Sequence, residues 1–182
     1  MKLFTALLLA PLLATTLSNG APVNALQVPV RDILGKEIKL ADLGGKAVLI
    51  VNVASECGYT AQYEGLEALY KSLKARGLIV VGVPCNDFGS QEPGSNDEIR
   101  KFCSTRFQVT FPLLSKVSIK GPEAHPLFRA LTGEGSPLPG PVTWNFQKFL
   151  LSKDGRLEAR FESSVEPDSA ELKASIEKVL AR

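Results

Sequence analysis

Cys57 lies where a thiol is readily made into a nucleophile. The stretch Asn-Val-Ala-Ser-Glu-Cys-Gly-Tyr-Thr, residues 52–60, places it just past an apolar run and just before a helical period begins. At an expected helix N-terminus, free backbone N–H groups and the helix dipole favour a thiolate. An ordinary thiol, with a pKa of about 8.5, is only a few per cent thiolate at neutral pH, and the thiolate is the reactive form. Gly58 directly after it suggests close approach of another group to the backbone. The competing role is packing, since a buried cysteine behaves as a small hydrophobe. Cys85 and Cys103 bring the cysteine count to three, so at least one thiol stands outside any stable intramolecular disulfide.

The elements that must position Cys57 can be read from periodicity. Residues 28–33 and 37–40 flank Leu34-Gly35-Lys36 as a small N-terminal hairpin, leading to a turn at Gly44-Gly45. Residues 47–53 form a Val- and Ile-rich run, the pattern of a strand covered on both faces. From Thr60 the period turns helical, with Leu66, Leu69, Tyr70 and Leu73 on one stripe until Gly77. Residues 78–83 give a second buried strand, so the unit is a right-handed βαβ crossover with parallel strands. A Gly/Pro/Asn loop over 85–94 precedes a capping box, Ser95 to Glu98, which opens a helix carrying Ile99, Phe102 and Cys103. Residues 113–119 read as a third strand, 124–131 as a short helix broken early by Pro126, and 133–141 as a turn-rich connection. Asp154-Gly155 joins 148–152 to 156–161 as a hairpin, and a last amphipathic helix after Pro167 carries Leu172, Ile176, Val179 and Leu180. The expected fold class is α/β, a central mixed sheet flanked by helices on both faces, with an N-terminal β-hairpin.

Composition bounds the function. Apolar residues make up 45% of the 182 and charged residues 22%, as in an ordinary globular domain. A net charge of +2, with Lys and Arg interleaved among Asp and Glu, argues against nucleic acid as a partner. One His and three separated Cys offer no metal-ligand cluster, and no cofactor or metal site is expected. Lys2 followed by an apolar run over 3–13 and a small, polar stretch has the pattern of a signal peptide over 1–25, cleaved near Ala25 or Ala21. The run falls short of the roughly 20 apolar residues a membrane span needs, so no stable membrane anchor is expected. The expectation is an exported protein, periplasmic or secreted, whose domain covers 26–182.

Three segments occur together and in order: Asn-Val-Ala-Ser-Glu-Cys-Gly-Tyr-Thr, then Pro-Cys-Asn-Asp-Phe-Gly-Ser-Gln-Glu-Pro-Gly at 84–94, then Trp-Asn-Phe-Gln-Lys-Phe-Leu at 144–150. Together they resemble the glutathione peroxidase family over nearly all of the chain after the leader. The resemblance implies a thioredoxin-like fold and a catalytic group of Cys57, Gln91, Trp144 and Asn145. Cys57 stands where some relatives carry selenocysteine. The implied chemistry is thiolate attack on the oxygen of hydrogen peroxide or an organic or lipid hydroperoxide, leaving a sulfenic acid on Cys57. Gln91, the Trp144 indole and Asn145 would donate hydrogen bonds to the charge on sulfur and on the departing oxygen.

The segment Phe-Cys-Ser-Thr-Arg-Phe-Gln-Val-Thr-Phe-Pro, 102–112, resembles the resolving-cysteine segment of the three-cysteine, thioredoxin-dependent branch. It implies that Cys103 traps oxidised Cys57 as a disulfide, with a thioredoxin-like donor favoured over glutathione, and that part of the second helix unwinds on the way. Cys85 is read as structural. Asp87 stands where the family commonly has Gln; facing Cys57 it would raise that thiol's pKa, and the expectation is that it points to solvent. The short 133–141 connection, compared with tetrameric relatives, implies a monomer open to bulky substrates. Cys57-Gly58-Tyr59-Thr60 lacks the second thiol of a C-x-x-C oxidoreductase. The alternative reading is a peroxide sensor or redox relay that hands its disulfide to a partner protein.

Overall fold

A computed structural model describes residues 23–182; the apolar run at 3–13 and Ala21 lie outside the described residues. The N-terminal hairpin forms from β1 (Pro29–Arg31) and β2 (Glu37–Lys39), antiparallel as expected. The main sheet has four strands in the order β4-β3-β5-β6: β3 (Ala47–Val53), β4 (Leu78–Pro84), β5 (Lys148–Ser152) and β6 (Leu157–Phe161). β3 and β4 are parallel, whereas β5 runs antiparallel to both β3 and β6. Every residue of β3 is buried, which is why its sequence is an almost unbroken apolar run rather than an alternation.

Alternate β3 residues feed two separate apolar layers. Ala47, Leu49, Val51 and Val53 face a layer with Tyr63 and Leu66 of α1 (Gln62–Leu73), Ile99 and Cys103 of α2 (Asn96–Phe107), and Leu172 and Ile176 of α4 (Ala170–Leu180). Val48 and Ile50 face the other layer, with Val28, Val30, Leu127 and Phe128, the last two from α3 (Pro126–Thr132). Helices therefore cover both faces, and the period of two along β3 decides which of its side chains meets which layer.

Several boundaries follow directly from local chemistry. Ser95 accepts from the Glu98 N–H while Glu98 reaches back to the Ser95 N–H, the reciprocal pair that opens α2. Gly155 supplies the positive φ of 80° that its turn between β5 and β6 requires. Two expectations fail. Residues 113–119 are not a strand: only Leu113 and Leu114 make isolated bridges, to Gly82 and Asp32, because the segment crosses between β4 and the hairpin and bonds each briefly. Gly82 permits that crossing, since a Cβ there would sit 2.7 Å from the Leu113 side chain. Pro126 does not break a helix but begins one, at the first helical position where its missing N–H costs nothing, with His125 Nδ1 capping the Leu127 N–H at 3.2 Å.

Candidate active site

Cys57 sits in the turn between β3 and α1, with 9% of its surface exposed. α1 starts only at Gln62, and its first N–H groups are already bonded to the carbonyls of Tyr59, Thr60 and Ala61. The expectation that helix-terminal N–H groups serve the sulfur is therefore corrected. The donor is local: the Tyr59 N–H points at Cys57 Sγ at 3.4 Å, and among the described residues it is the one hydrogen-bond donor recorded on that sulfur. The turn is locked by Thr60, whose hydroxyl accepts from the Cys57 N–H at 3.0 Å and donates to the Ala54 carbonyl at 2.9 Å.

The structure joins Cys57, Gln91, Trp144 and Asn145 through backbone and side-chain links. The Glu56 N–H donates to the Gln91 carbonyl at 3.0 Å, tying the cysteine turn to the loop after β4. Asn145 Nδ2 donates to Gln91 Oε1 at 3.0 Å, so the Gln91 amide nitrogen is the end left to donate elsewhere. Asn145 is fully buried and its Oδ1 has no partner. Trp144 is 38% exposed, with its ring 6.0 Å from that of Phe88. Neither Gln91 nor Trp144 donates to Cys57 in this state, and catalytic hydrogen bonds often tighten only with substrate.

Backbone strain marks the same positions. Among the described residues three non-glycine positions have positive φ: Ser90 (54°) precedes Gln91 and Phe146 (65°) follows Asn145, while Gln108 caps α2. Each such conformation costs about 1–3 kcal/mol and persists only where surrounding contacts impose it. At Phe146 the holding contacts come from Asn52: its side chain donates to the Trp144 carbonyl at 3.0 Å and its carbonyl accepts from the Phe146 N–H at 2.6 Å. Asn52 went unnoticed in the sequence, although a lone amide inside the run Ala-Val-Leu-Ile-Val-Asn-Val was a legible signal.

The other two thiols part company. Cys103 belongs to the same apolar layer as Cys57, whereas Cys85 packs in the opposite layer. All three are free. Burial pushes the Cys85 thiol up to about 12, even though the Asp87 N–H donates to its sulfur at 3.4 Å. Burial likewise pushes Cys103 up to about 11, against the pull of the neighbouring Tyr63 hydroxyl, with Glu92 adding to the rise. Asp87 points neither to solvent nor to Cys57. Its Oδ2 accepts from the Ile119 N–H (2.6 Å), the Ser118 hydroxyl (2.9 Å) and the Lys120 N–H (3.0 Å). Burial alone would raise its pKa, but those donors outweigh it and hold the carboxyl below its ordinary value. Asp87 is a clamp on residues 118–120.

Sequence reasoning also missed Glu92, which looked like a loop carboxylate and is fully buried, and Lys148, whose ammonium donates to Gln62 Oε1 at 2.6 Å and to the carbonyls of Ser163 and Val165. Burial pulls the Lys148 ammonium down to about 8, with Glu166 pulling it back up.

A mixed sheet with helical layers on both faces, and a thiol at the strand-to-helix turn tied by backbone to the loop of Gln91 and through Gln91 to Asn145, defines a thioredoxin-like fold. The glutathione peroxidase family model matches residues 25–132. The chain is 48% identical over 168 residues to the hydroperoxy fatty acid reductase gpx1 of Synechocystis, covering 88% of this chain and 94% of that one. It is 49% identical over 147 residues to the glutathione peroxidase-like peroxiredoxin GPX5 of Chlamydomonas reinhardtii, covering 80% and 90%. The crystal structure of Trgpx in apo form superposes with a TM-score of 0.70 at 34% identity, over 89% of this chain and 98% of that one. A thioredoxin family thiol:disulfide interchange protein from Chlorobium tepidum, at 18% identity and a TM-score of 0.64, shares the fold. The chain belongs to the glutathione peroxidase family, and it is a peroxidase.

Proposed function

We propose that Cys57 reduces hydroperoxides by thiolate attack on the peroxide oxygen, that Cys103 resolves the resulting sulfenic acid as a disulfide, and that a thioredoxin-like protein reduces the disulfide. The observation that carries this reading is the partition of the thiols: Cys57 and Cys103 share one side of the sheet and Cys85 lies on the other. A disulfide needs Cα atoms within about 7 Å, and Cys57 shares its apolar layer with Cys103 and not with Cys85. α2 is suited to local opening, since Ile99 and Cys103 are its buried residues and Ser104, Thr105 and Arg106 beyond them are exposed.

Gln91, through its free amide nitrogen, and Trp144, through its indole N–H, are the donors for charge on sulfur and on the departing oxygen, while Asn145 holds Gln91 in place. The exposed Trp144 and its Phe88 neighbour give the site an open apolar rim suited to long-chain hydroperoxides. The relatives named as hydroperoxy fatty acid reductases and as glutathione peroxidase-like peroxiredoxins support both the substrate class and the protein reductant. The short 133–141 connection supports a monomer.

Export belongs to the same proposal, with an exported thioredoxin-like donor. Cleavage after Ala21 fits better than after Ala25, because Ala25 is buried and Asn24 caps the Leu26 N–H while donating to the Asp154 carbonyl at 2.8 Å. The test is thioredoxin-coupled NADPH oxidation by the domain with added hydroperoxide. Both Cys57→Ser and Cys103→Ser should abolish turnover. Turnover with glutathione that survives Cys103→Ser would demote Cys103, and rapid transfer of the disulfide to one partner without steady turnover would favour the sensor.

A further inference from the structure

We propose that Asn52 is a positioning residue for peroxide reduction, whose side chain holds the turn carrying Trp144 and Asn145; this rests on Cys57 being the thiol that meets the peroxide and on Gln91 and Trp144 being its donors. Asn52 has no exposed surface and is the one amide in β3, which is otherwise built of Ala, Val, Leu and Ile. Burying an amide is costly unless it is bonded, so the sheet alone would favour an apolar residue there. Nor do the strand's own bonds need this side chain. The Asn52 N–H donates to the Gln147 carbonyl at 3.3 Å and the Asn52 carbonyl accepts from the Phe146 N–H at 2.6 Å, both through the backbone. The side chain adds a third bond, from Nδ2 to the Trp144 carbonyl at 3.0 Å.

The end of β3 is a junction of three loops. Asn52 holds 144–147, the Val53 carbonyl accepts from the Cys85 N–H at 3.1 Å where the Gln91 loop begins, and the Ala54 carbonyl accepts from the Thr60 hydroxyl that locks the Cys57 turn. The contacts at Val53 and Ala54 use backbone acceptors and would survive a change of those side chains. Only the tie to the Trp144 carbonyl depends on which residue stands at 52. That carbonyl belongs to the peptide joining Trp144 to Asn145, so a rotation of this peptide moves both side chains. Phe146 follows at a φ of 65°, a strained conformation that a freed peptide could relax. Asn145 in turn donates to Gln91 Oε1 at 3.0 Å, the contact that leaves the Gln91 nitrogen free to donate.

Asn52 therefore acts through Trp144 and Asn145 rather than on the sulfur itself, and one bond governs the placement of two donors. Misplacing a reacting or stabilising group by about 1 Å can cost about 100-fold in rate, and deleting a single donor costs as much. The loss falls on the oxidation of Cys57, the step in which charge develops on the departing oxygen.

The test is rapid-quench measurement of Cys57 oxidation in a single turnover of the reduced protein, in the wild type, in Asn52→Leu, which keeps the size and removes the donor, and in Asn52→Ala. Ile50→Val, on the same strand, is the control for a simple loss of packing. Trp144 is the only tryptophan in the chain, so intrinsic fluorescence reports its placement directly. Both Asn52 variants should oxidise Cys57 about 10- to 100-fold more slowly with a shifted Trp144 emission, whereas Ile50→Val should keep the wild-type rate and emission. Introduced into Asn145→Ala, Asn52→Leu should cost much less than it does alone, because the two changes act along one route. A folded Asn52→Leu with the wild-type rate overturns the proposal, as does an equal loss in Ile50→Val or full additivity with Asn145→Ala. Failure of both Asn52 variants to fold overturns it too, since Asn52 would then serve the whole fold. A wild-type Cys57 that hydroperoxide does not oxidise would instead remove the reading of Cys57 on which the proposal stands.

Discussion

Glu92→Gln should leave a thermodynamic signature opposite to that of most carboxylates. Folding buries the whole side chain, gives one oxygen the Ser55 hydroxyl and the other nothing, and burial lifts the carboxyl from 4.5 to about 7. The folded state then binds this proton more tightly than the unfolded chain. Between those two values the folded form carries more protons, so stability falls as pH rises through the window. A shift of that size, at 1.36 kcal/mol per unit, corresponds to about 3 kcal/mol lost by pH 8 at most, and relaxation and screening bring it to about 2 kcal/mol. Gln keeps the acceptor for Ser55 and carries no charge at any pH. Urea unfolding of both proteins at pH 5 and pH 8 isolates the charge, because packing differences cancel between the two conditions. The stability of Glu92→Gln relative to wild type should increase by about 2 kcal/mol from pH 5 to pH 8. An increment that does not change with pH would refute the assignment of Glu92 as a strained buried acid.

Other perturbations test the scaffold. Asp87→Ala strips three donors of their shared acceptor and should cost about 2–4 kcal/mol in urea melts. Because the Asp87 carboxyl is held below its ordinary value, that contribution should be present above pH 4 and fade as pH falls through the folded value. Lys148→Met leaves Gln62 Oε1 and the Val165 carbonyl without their donor, while the Ser163 carbonyl keeps the Gln62 amide, and should destabilise by about 3 kcal/mol, with faster amide exchange at the start of α1. Ser95→Ala removes the α2 cap and should cost about 1 kcal/mol in thermal melts, while speeding disulfide formation if α2 opening limits it.

How much of this was legible depended on whether the signal was local. The β3 run, the Ser95–Glu98 box and the Asp154-Gly155 turn each carry their chemistry within a few residues, and all three formed where the sequence places them. The failures are tertiary. Residues 113–119 have strand-like composition, but they cross from β4 to the hairpin and never run alongside one partner long enough to make a ladder. Asp87 reads as a solvent-facing loop acid until residues 118–120 fold over it. The same holds for Glu92, whose burial comes from α2 packing over the loop, which no local pattern announces. At the candidate site, motif resemblance named Cys57, Gln91, Trp144 and Asn145. The Gln91–Asn145 bond and the strained backbone at Ser90 and Phe146 show how the fold holds them.

The most direct test of the account is to treat the reduced protein with one equivalent of hydroperoxide, block the remaining thiols and map the peptides without reduction. The predicted product is a single disulfide between Cys57 and Cys103, with Cys85 alkylated. A Cys57–Cys85 disulfide, or a Cys57 left unoxidised, would contradict it.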